Sequence, residues 1–219
     1  GYVYKEKILW LIPIIAMAIF AGLRTEYNDT TAYTYSYENF VKSNFDFSNI
    51  SWTFGDNFGF DAFSIILKSL GFSTNGYLMV FAIITYVIYI WFIHKYSTDF
   101  LMSMFLFICL IFTFPLAAIK QCVAVAFCLL AVDKAINKKW FWFVFWIFIA
   151  ETFHAYSFMY LIVPLLFFVP WQDKRTVMWI VIFLFAGILL RPMIGTVLSI
   201  TDALGDEYTV EEFSGNGVN

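Results

Sequence analysis

The sequence predicts an all-α fold: a polytopic membrane helix bundle of about seven spans, with an external loop carrying a short interfacial helix. Three observations lead there. Apolar residues make up 62% of the 219 residues and charged ones only 13%, against roughly 45–50% and about 25% in an average soluble domain. A globule of this size has too much surface for its volume to hide that excess, so the excess faces lipid. The apolar residues also gather in runs close to the length a helix needs to cross hydrocarbon, about 20 residues with about 17 as a lower limit. Finally, the runs are broken at a few charged or proline-containing points, and these set the topology.

Runs at 8–23, 77–93, 100–119 and 153–171 are long enough, or nearly so, to cross. A fifth at 177–190 is short and extends into 193–200, and two shorter runs lie at 122–132 and 140–150. Residues 100–132 are far more than one crossing needs. Pro115 and the Lys120-Gln121 pair interrupt them, which predicts a tight helical hairpin turning near 115–121. The same reasoning splits 140–171 at Glu151-Thr152-Phe153-His154. Seven crossings result, with either short helix open to being half-spanning or re-entrant. The segment 61–70 has apolar residues at 63, 66, 67 and 70 and a glycine at 71, the pattern of a helix too short to span. It is expected to lie in the outer interface or to cap the external loop. The chain begins at Gly1 and ends in a polar tail, and so reads as a piece of a longer protein. Residues 1–219 form a single membrane domain, 24–76 the external loop, and 201–219 the start of an external loop or tail.

Orientation follows from the basic residues. With seven crossings, the loops 4–7, 94–99, 133–139 and 172–175 share one face and hold most of the 13 Lys and Arg. That face is cytoplasmic by the positive-inside rule. The opposite face receives Arg24, Lys42, Lys68, Lys120 and Arg191, together with the acidic residues of 24–61 and 202–212.

The composition excludes several classes. The scattered cations make no basic patch for nucleic acid. Cys109, Cys122 and Cys128 all lie in apolar runs without a CxxC pair, and read as small buried hydrophobes. The two histidines are sixty residues apart, so no metal centre is indicated. Neither a P-loop nor a GxGxxG turn is present, and no cofactor is expected.

The informative residues are the interruptions on the outer face. Arg24 ends the first run: it either snorkels to the headgroups or binds a lipid diphosphate bidentately at that level. Lys120 and Gln121 mark a hairpin turn, or open a helix whose N-terminus favours an anion. Glu151, His154 and Ser157 recur at intervals of three, which on a helix would place them on one side. They form a polar cap at a helix end, or a His-carboxylate pair able to accept a proton. Arg191, before Pro192, is an anchor or a further cation. Several cations at one membrane–water boundary suit an anionic, lipid-linked substrate.

Four segments, GLRTEYNDTTAY, FGFDAFSIILKSLGF, IKQCVAVAF and FHAYSFMYLIVPLLFF, occur here in the order seen in EpsG-type, Wzy-like bacterial polysaccharide polymerases. The chain resembles that family over roughly residues 8–170. Arg24, Asp29 and Tyr33 match its first motif, with Tyr27 where a glycine is usual. Lys120-Gln121 matches an arginine-glutamine pair, with lysine in place of arginine. Phe153, His154 and Ser157 match a third motif, and Asn57 or Asp56 stands near where a glutamate is usual. The resemblance implies transfer of a growing glycan from an undecaprenyl-diphosphate carrier to a hydroxyl of another lipid-linked repeat unit. The reaction would take place outside the bacterial cytoplasmic membrane, in exopolysaccharide, capsule or O-antigen assembly, alongside other assembly proteins. In that chemistry Arg24, Lys120, Gln121 and Arg191 would hold the diphosphate. Asp29 or His154 would act as base, and Tyr33, Glu151 and Ser157 would support them. A flippase or transporter subunit for lipid-linked oligosaccharide is the competing reading.

Overall fold

The computed structural model describes residues 2–166 and 174–190, with side-chain surroundings for 11–166 and 176–185. It is helical throughout, with no strand among the described residues. The elements are α1 (Tyr2–Gly22), α2 (Thr30–Asn39), α3 (Phe58–Ser69), α4 (Thr74–Tyr96), α5 (Phe100–Leu110), α6 (Phe114–Ala117), α7 (Ile119–Ile136) and α8 (Trp140–Phe153). A 3-10 segment (Ala155–Ile162), α9 (Val163–Leu166) and α10 (Lys174–Leu190) follow.

The all-helical expectation is met, whereas seven separate crossings are not seen. Among the described residues only α4, with 23 residues, is long and apolar enough to cross a membrane by length and composition. The expected span 100–119 is divided into α5 and α6. Its break falls at 111–113, ahead of the proline, because Pro115 sits in the first turn of α6, where its missing N–H costs nothing. The expected span 153–171 starts as a 3-10 segment, since His154 is extended (φ −161°, ψ 121°) and ends α8. Shorter apolar helices account for the remaining runs: Leu11–Gly22, Trp140–Phe153 and Thr176–Phe185 among them. The proposed extension into 193–200 and the tail 201–219 lie outside the described residues.

α7 is the centre of the packing, lying against both α4 and α8. It fits because its buried positions are small: Cys122, Ala124, Ala126, Cys128, Ala131 and Ala135 are each no more than 1% exposed. Small residues let helix backbones approach closely where lipid supplies no hydrophobic drive. Two of the three cysteines are therefore the small buried hydrophobes expected, while Cys109 is exposed on α5. α1 packs on α4 through an equally tight contact, in which a Cβ added at Gly22 would stand 2.7 Å from Met79 Cβ and 3.0 Å from Met79 Cα. Facing away from these seams, α5 and α8 expose large apolar side chains, including Leu101, Phe105, Phe141 and Phe148. Apolar surface this continuous marks contact with lipid or a partner rather than water.

At the end assigned to the cytoplasm, beyond the apolar part of α7, Asp133 ties α7 to α4. Its carboxylate is 3% exposed and pairs with Lys95 and with Lys134 (3.0 Å), and it accepts from the Tyr96 hydroxyl (2.8 Å). Burial alone would raise its pKa, but the hydrogen bonds from Lys95, Lys134 and Tyr96 outweigh burial and hold it down to about 2.

At the other end, residues 23–73 fold over the tips of the helices. A short helix, α3, stands where one was expected over 61–70, begun three residues earlier. α2 is a further helix in the same loop: the Tyr37 ring stacks on Tyr77 at 4.1 Å, and its hydroxyl donates to the Phe72 carbonyl at 2.9 Å.

Two predictions follow from this packing. Gly22→Val forces α1 away from α4 and should cost about 1–3 kcal/mol, read as a lower thermal midpoint in detergent. Gly76→Ala, whose Cβ would meet only the edge of the Phe72 ring at 3.1 Å, should leave the midpoint near wild type. The folded pKa of Asp133 lies below the unfolded value of about 3.9, so its contribution is complete above that value. It is lost as pH falls toward about 2. Melting curves of wild type and Asp133→Asn should therefore differ most near pH 7 and converge as the pH approaches 2.

Candidate functional site at the outer helix ends

The chain leaves α1 at Gly22, and Arg24 turns its half-buried side chain back over the helix end. Its Nη1 donates to the Ala21 carbonyl and its Nε donates to Thr30 Oγ1 at 2.8 Å. The Thr30 hydroxyl, fully buried, donates in turn to the Leu116 carbonyl at 3.3 Å. Nη2 is enclosed and has no hydrogen-bond partner among the described residues. Arg24 also lines a cleft with about 210 Å³ of empty space, mouth included, whose other walls are Leu78, Phe81, Ala82, Thr85, Pro115 and Ile119. Burial lowers the Arg24 pKa, partly offset by Tyr86. A guanidinium does not give up its proton in a protein, so Arg24 keeps its charge in this half-buried position.

Lys120 lies in the first turn of α7, and its ammonium sits 4.9 Å from the Phe60 ring centroid. Phe60 stacks on Phe81 at 4.9 Å, and Phe81 also walls the Arg24 cleft, so the two cations flank one aromatic layer. Tyr33 packs on the other side of Phe60 at 5.9 Å. Gln121 is half-buried one position on, and adjacent helical residues do not face the same way. The sequence reading does not single out Asp61, which follows Phe60 in the first turn of α3. Its pKa is raised because surrounding protein disfavours the carboxylate, while nearby Lys120 pulls it back. Asp61 nevertheless keeps an exposed surface, so it lies in an open recess. The legible signal is a lone acid within an apolar amphipathic stretch.

Asp29 follows Arg24 by five residues, yet the structure brings Thr30 rather than Asp29 onto the guanidinium. Asp29 is exposed at the start of α2, without a side-chain cap bond.

Glu151, His154 and Ser157 do not share one helical face, because α8 ends at Phe153 and His154 is extended. Glu151 is 1% exposed and its Oε1 accepts from the Gly55 N–H at 3.1 Å. His154 is half-buried, with its ring edge-on to Tyr156 at 5.3 Å. Ser157 is buried on the 3-10 segment, and its N–H donates to the His154 carbonyl at 3.0 Å. The loop and α8 interlock at Gly59, where an added Cβ would stand 2.2 Å from Thr152 Oγ1. Arg191 lies outside the described residues. The arrangement thus gathers Arg24, Tyr33, Lys120 and the outer end of α8 around α3, and leaves Asp29 at the surface.

Neither the curated protein sequences nor the solved structures contain a match to this chain. The sequence pattern of the EpsG family matches residues 7–217 of the 219, beyond the 8–170 over which the resemblance is legible by motif. An apolar helical chain with lipid-length α4 fits the integral membrane character of such a protein. By that match over nearly its whole length, the chain belongs to the EpsG family and so to polysaccharide biosynthesis.

Proposed function

We propose that the chain is a multi-pass protein of the bacterial cytoplasmic membrane that polymerises lipid-linked glycan repeat units on its outer side. The observation that carries this reading is Arg24: a half-buried guanidinium at the outer end of α1, with Nη2 unpaired and a cleft beside it. A diphosphate on an undecaprenyl-type lipid is an anion at that depth, with oxygens matched to a guanidinium. Lys120, across Phe60 and Phe81, supplies a second charge.

The chemistry is displacement at a sugar. The acceptor hydroxyl oxygen bonds to the anomeric carbon, the bond from that carbon to the diphosphate breaks, and the lipid diphosphate leaves with the electron pair. Arg24 and Lys120 stabilise the charge that grows on the leaving oxygens, with Arg191 as a third candidate. A base must take the hydroxyl proton. His154, at the outer end of α8, and Asp29 are the candidates read from the motifs. The other assembly proteins are expected to deliver the repeat units and take up the product.

Complementing a deletion strain with the full-length gene and sizing the surface polysaccharide on a gel tests the reading. Arg24→Ala should lower elongation about 100- to 1,000-fold and leave single repeat units at the surface. Arg24→Lys should restore part of the long chains, because the charge returns without the bidentate fork. Thr30→Val, which removes the hydroxyl orienting Nε, should have a smaller effect in the same direction. Loss of every external glycan, single units included, would indicate a transporter. Unchanged chain length in both Arg24→Ala and His154→Ala would sink the assignment.

A further inference from the structure

Beneath the turn that precedes α3 lie two enclosed oxygens with nothing to bind. Glu151 is 1% exposed, and no ion pair among the described residues includes it. One of its oxygens accepts the Gly55 N–H at 3.1 Å. The other, Oε2, has no hydrogen-bond partner among the described residues, and neither has Asn57 Oδ1, two residues beyond Gly55. A carboxylate and an amide carbonyl are acceptors, so what suits them is a donor. Buried acceptors left unfilled cost stability, and a chain that keeps one on Glu151 and another two residues from its Gly55 partner gains if a ligand brings O–H donors.

The neighbourhood says which ligand. Gly59 packs directly on Thr152, the residue after Glu151, and the next residue, Phe60, carries Lys120 over its ring. Gly59 and Phe60, consecutive at the start of α3, thus touch the end of α8 that carries Glu151 and the Lys120 side chain of α7. Trp52 and Phe54, in the turn that covers the pair, are exposed aromatics of the kind that sugar rings lie against.

We propose that Glu151 Oε2 accepts the attacking hydroxyl of the acceptor sugar and is the base that takes its proton, while Asn57 Oδ1 accepts from a neighbouring hydroxyl of the same sugar. This rests on the polymerase reading above and replaces both motif-derived bases. The hydroxyl donates to Glu151 Oε2. As its oxygen bonds to the anomeric carbon the proton passes to that carboxylate, and the electron pair of the broken bond leaves with the lipid diphosphate. Asn57 orients the sugar. The turn ahead of Asn57 rests on Glu151 through the Gly55 N–H, so the sugar enters as residues 51–56 shift while Asn57 stays at the start of α3.

The test uses the full-length protein in lipid nanodiscs, with lipid-diphosphate-linked repeat units extracted from the deletion strain. Glu151→Gln keeps an oxygen for the Gly55 N–H but puts an amide where the base stood. It should melt at or above the wild-type temperature while kcat falls about 100-fold or more. Glu151→Asp should recover part of that loss and shift the pH profile. Asn57 has a left-handed backbone (φ +54°), which glycine adopts freely. Asn57→Gly should therefore fold, and raise KM about five- to tenfold with kcat less affected. His154→Ala should cost less than Glu151→Gln. If wild type elongates and Arg24→Ala does not, but Glu151→Gln matches wild type, this inference is overturned and the polymerase reading stands. If wild type elongates nothing, both fall.

Discussion

The hydroxyl of Thr30 holds the outer end of the molecule together. It accepts from Arg24 at the end of α1, opens α2 in the external loop, and donates to the carbonyl of Leu116 just ahead of α7. A single buried oxygen thus ties the end of α1 and the start of α2 to a segment 86 residues further on. It also decides the direction of the guanidinium. With Nε committed to Thr30 and one Nη1 proton to Ala21, Nη2 is the nitrogen left wholly free to meet a ligand. In a region poor in water this restriction is worth more than at a surface, because a charge held in place there needs no reorganisation when an anion arrives.

α3 plays the complementary part. It is too short to span, and its start is threaded between helices. Gly59 lies on α8, Phe60 lies under Lys120 of α7 and on Phe81 of α4, and Gly55 just before it reaches Glu151. The external loop is therefore structural as well as a connector. It converts the separate tips of α4, α7 and α8 into one floor on which polar groups can be placed.

Much of this was legible in the sequence for a simple reason: in a chain with so few charges, each interruption of an apolar run stands out. Arg24, Lys120 and Glu151 all came into view this way, and all three lie at outer helix ends. The number of crossings was harder to read. Apolar length alone does not show that His154 is extended, or that Pro115 begins a helix rather than ending one. Nothing in Thr30–Asn39 announces α2 either, since its threonines and tyrosines have modest helix propensity and the helix depends on Tyr37 meeting Tyr77 and Phe72. Asp61 does not stand out in the sequence, and Asn57 only as a neighbour of a motif position, because their surroundings, Lys120 and the Gly55–Glu151 contact, are distant along the chain.

The small-residue helix α7 has a consequence for the bilayer itself. Lys120 marks its outer end and the Asp133 cluster its inner end, thirteen positions apart. At ~1.5 Å per residue that is about 20 Å, well short of the ~30 Å hydrocarbon layer of a typical membrane. Both polar ends can meet water or headgroups only where the layer thins around α7, or where the outer end sits in a depression below the headgroup plane. On the function proposed above, a lipid-borne phosphate would then have to sink to reach Lys120, and the ions of the medium would follow it less readily than at an open surface.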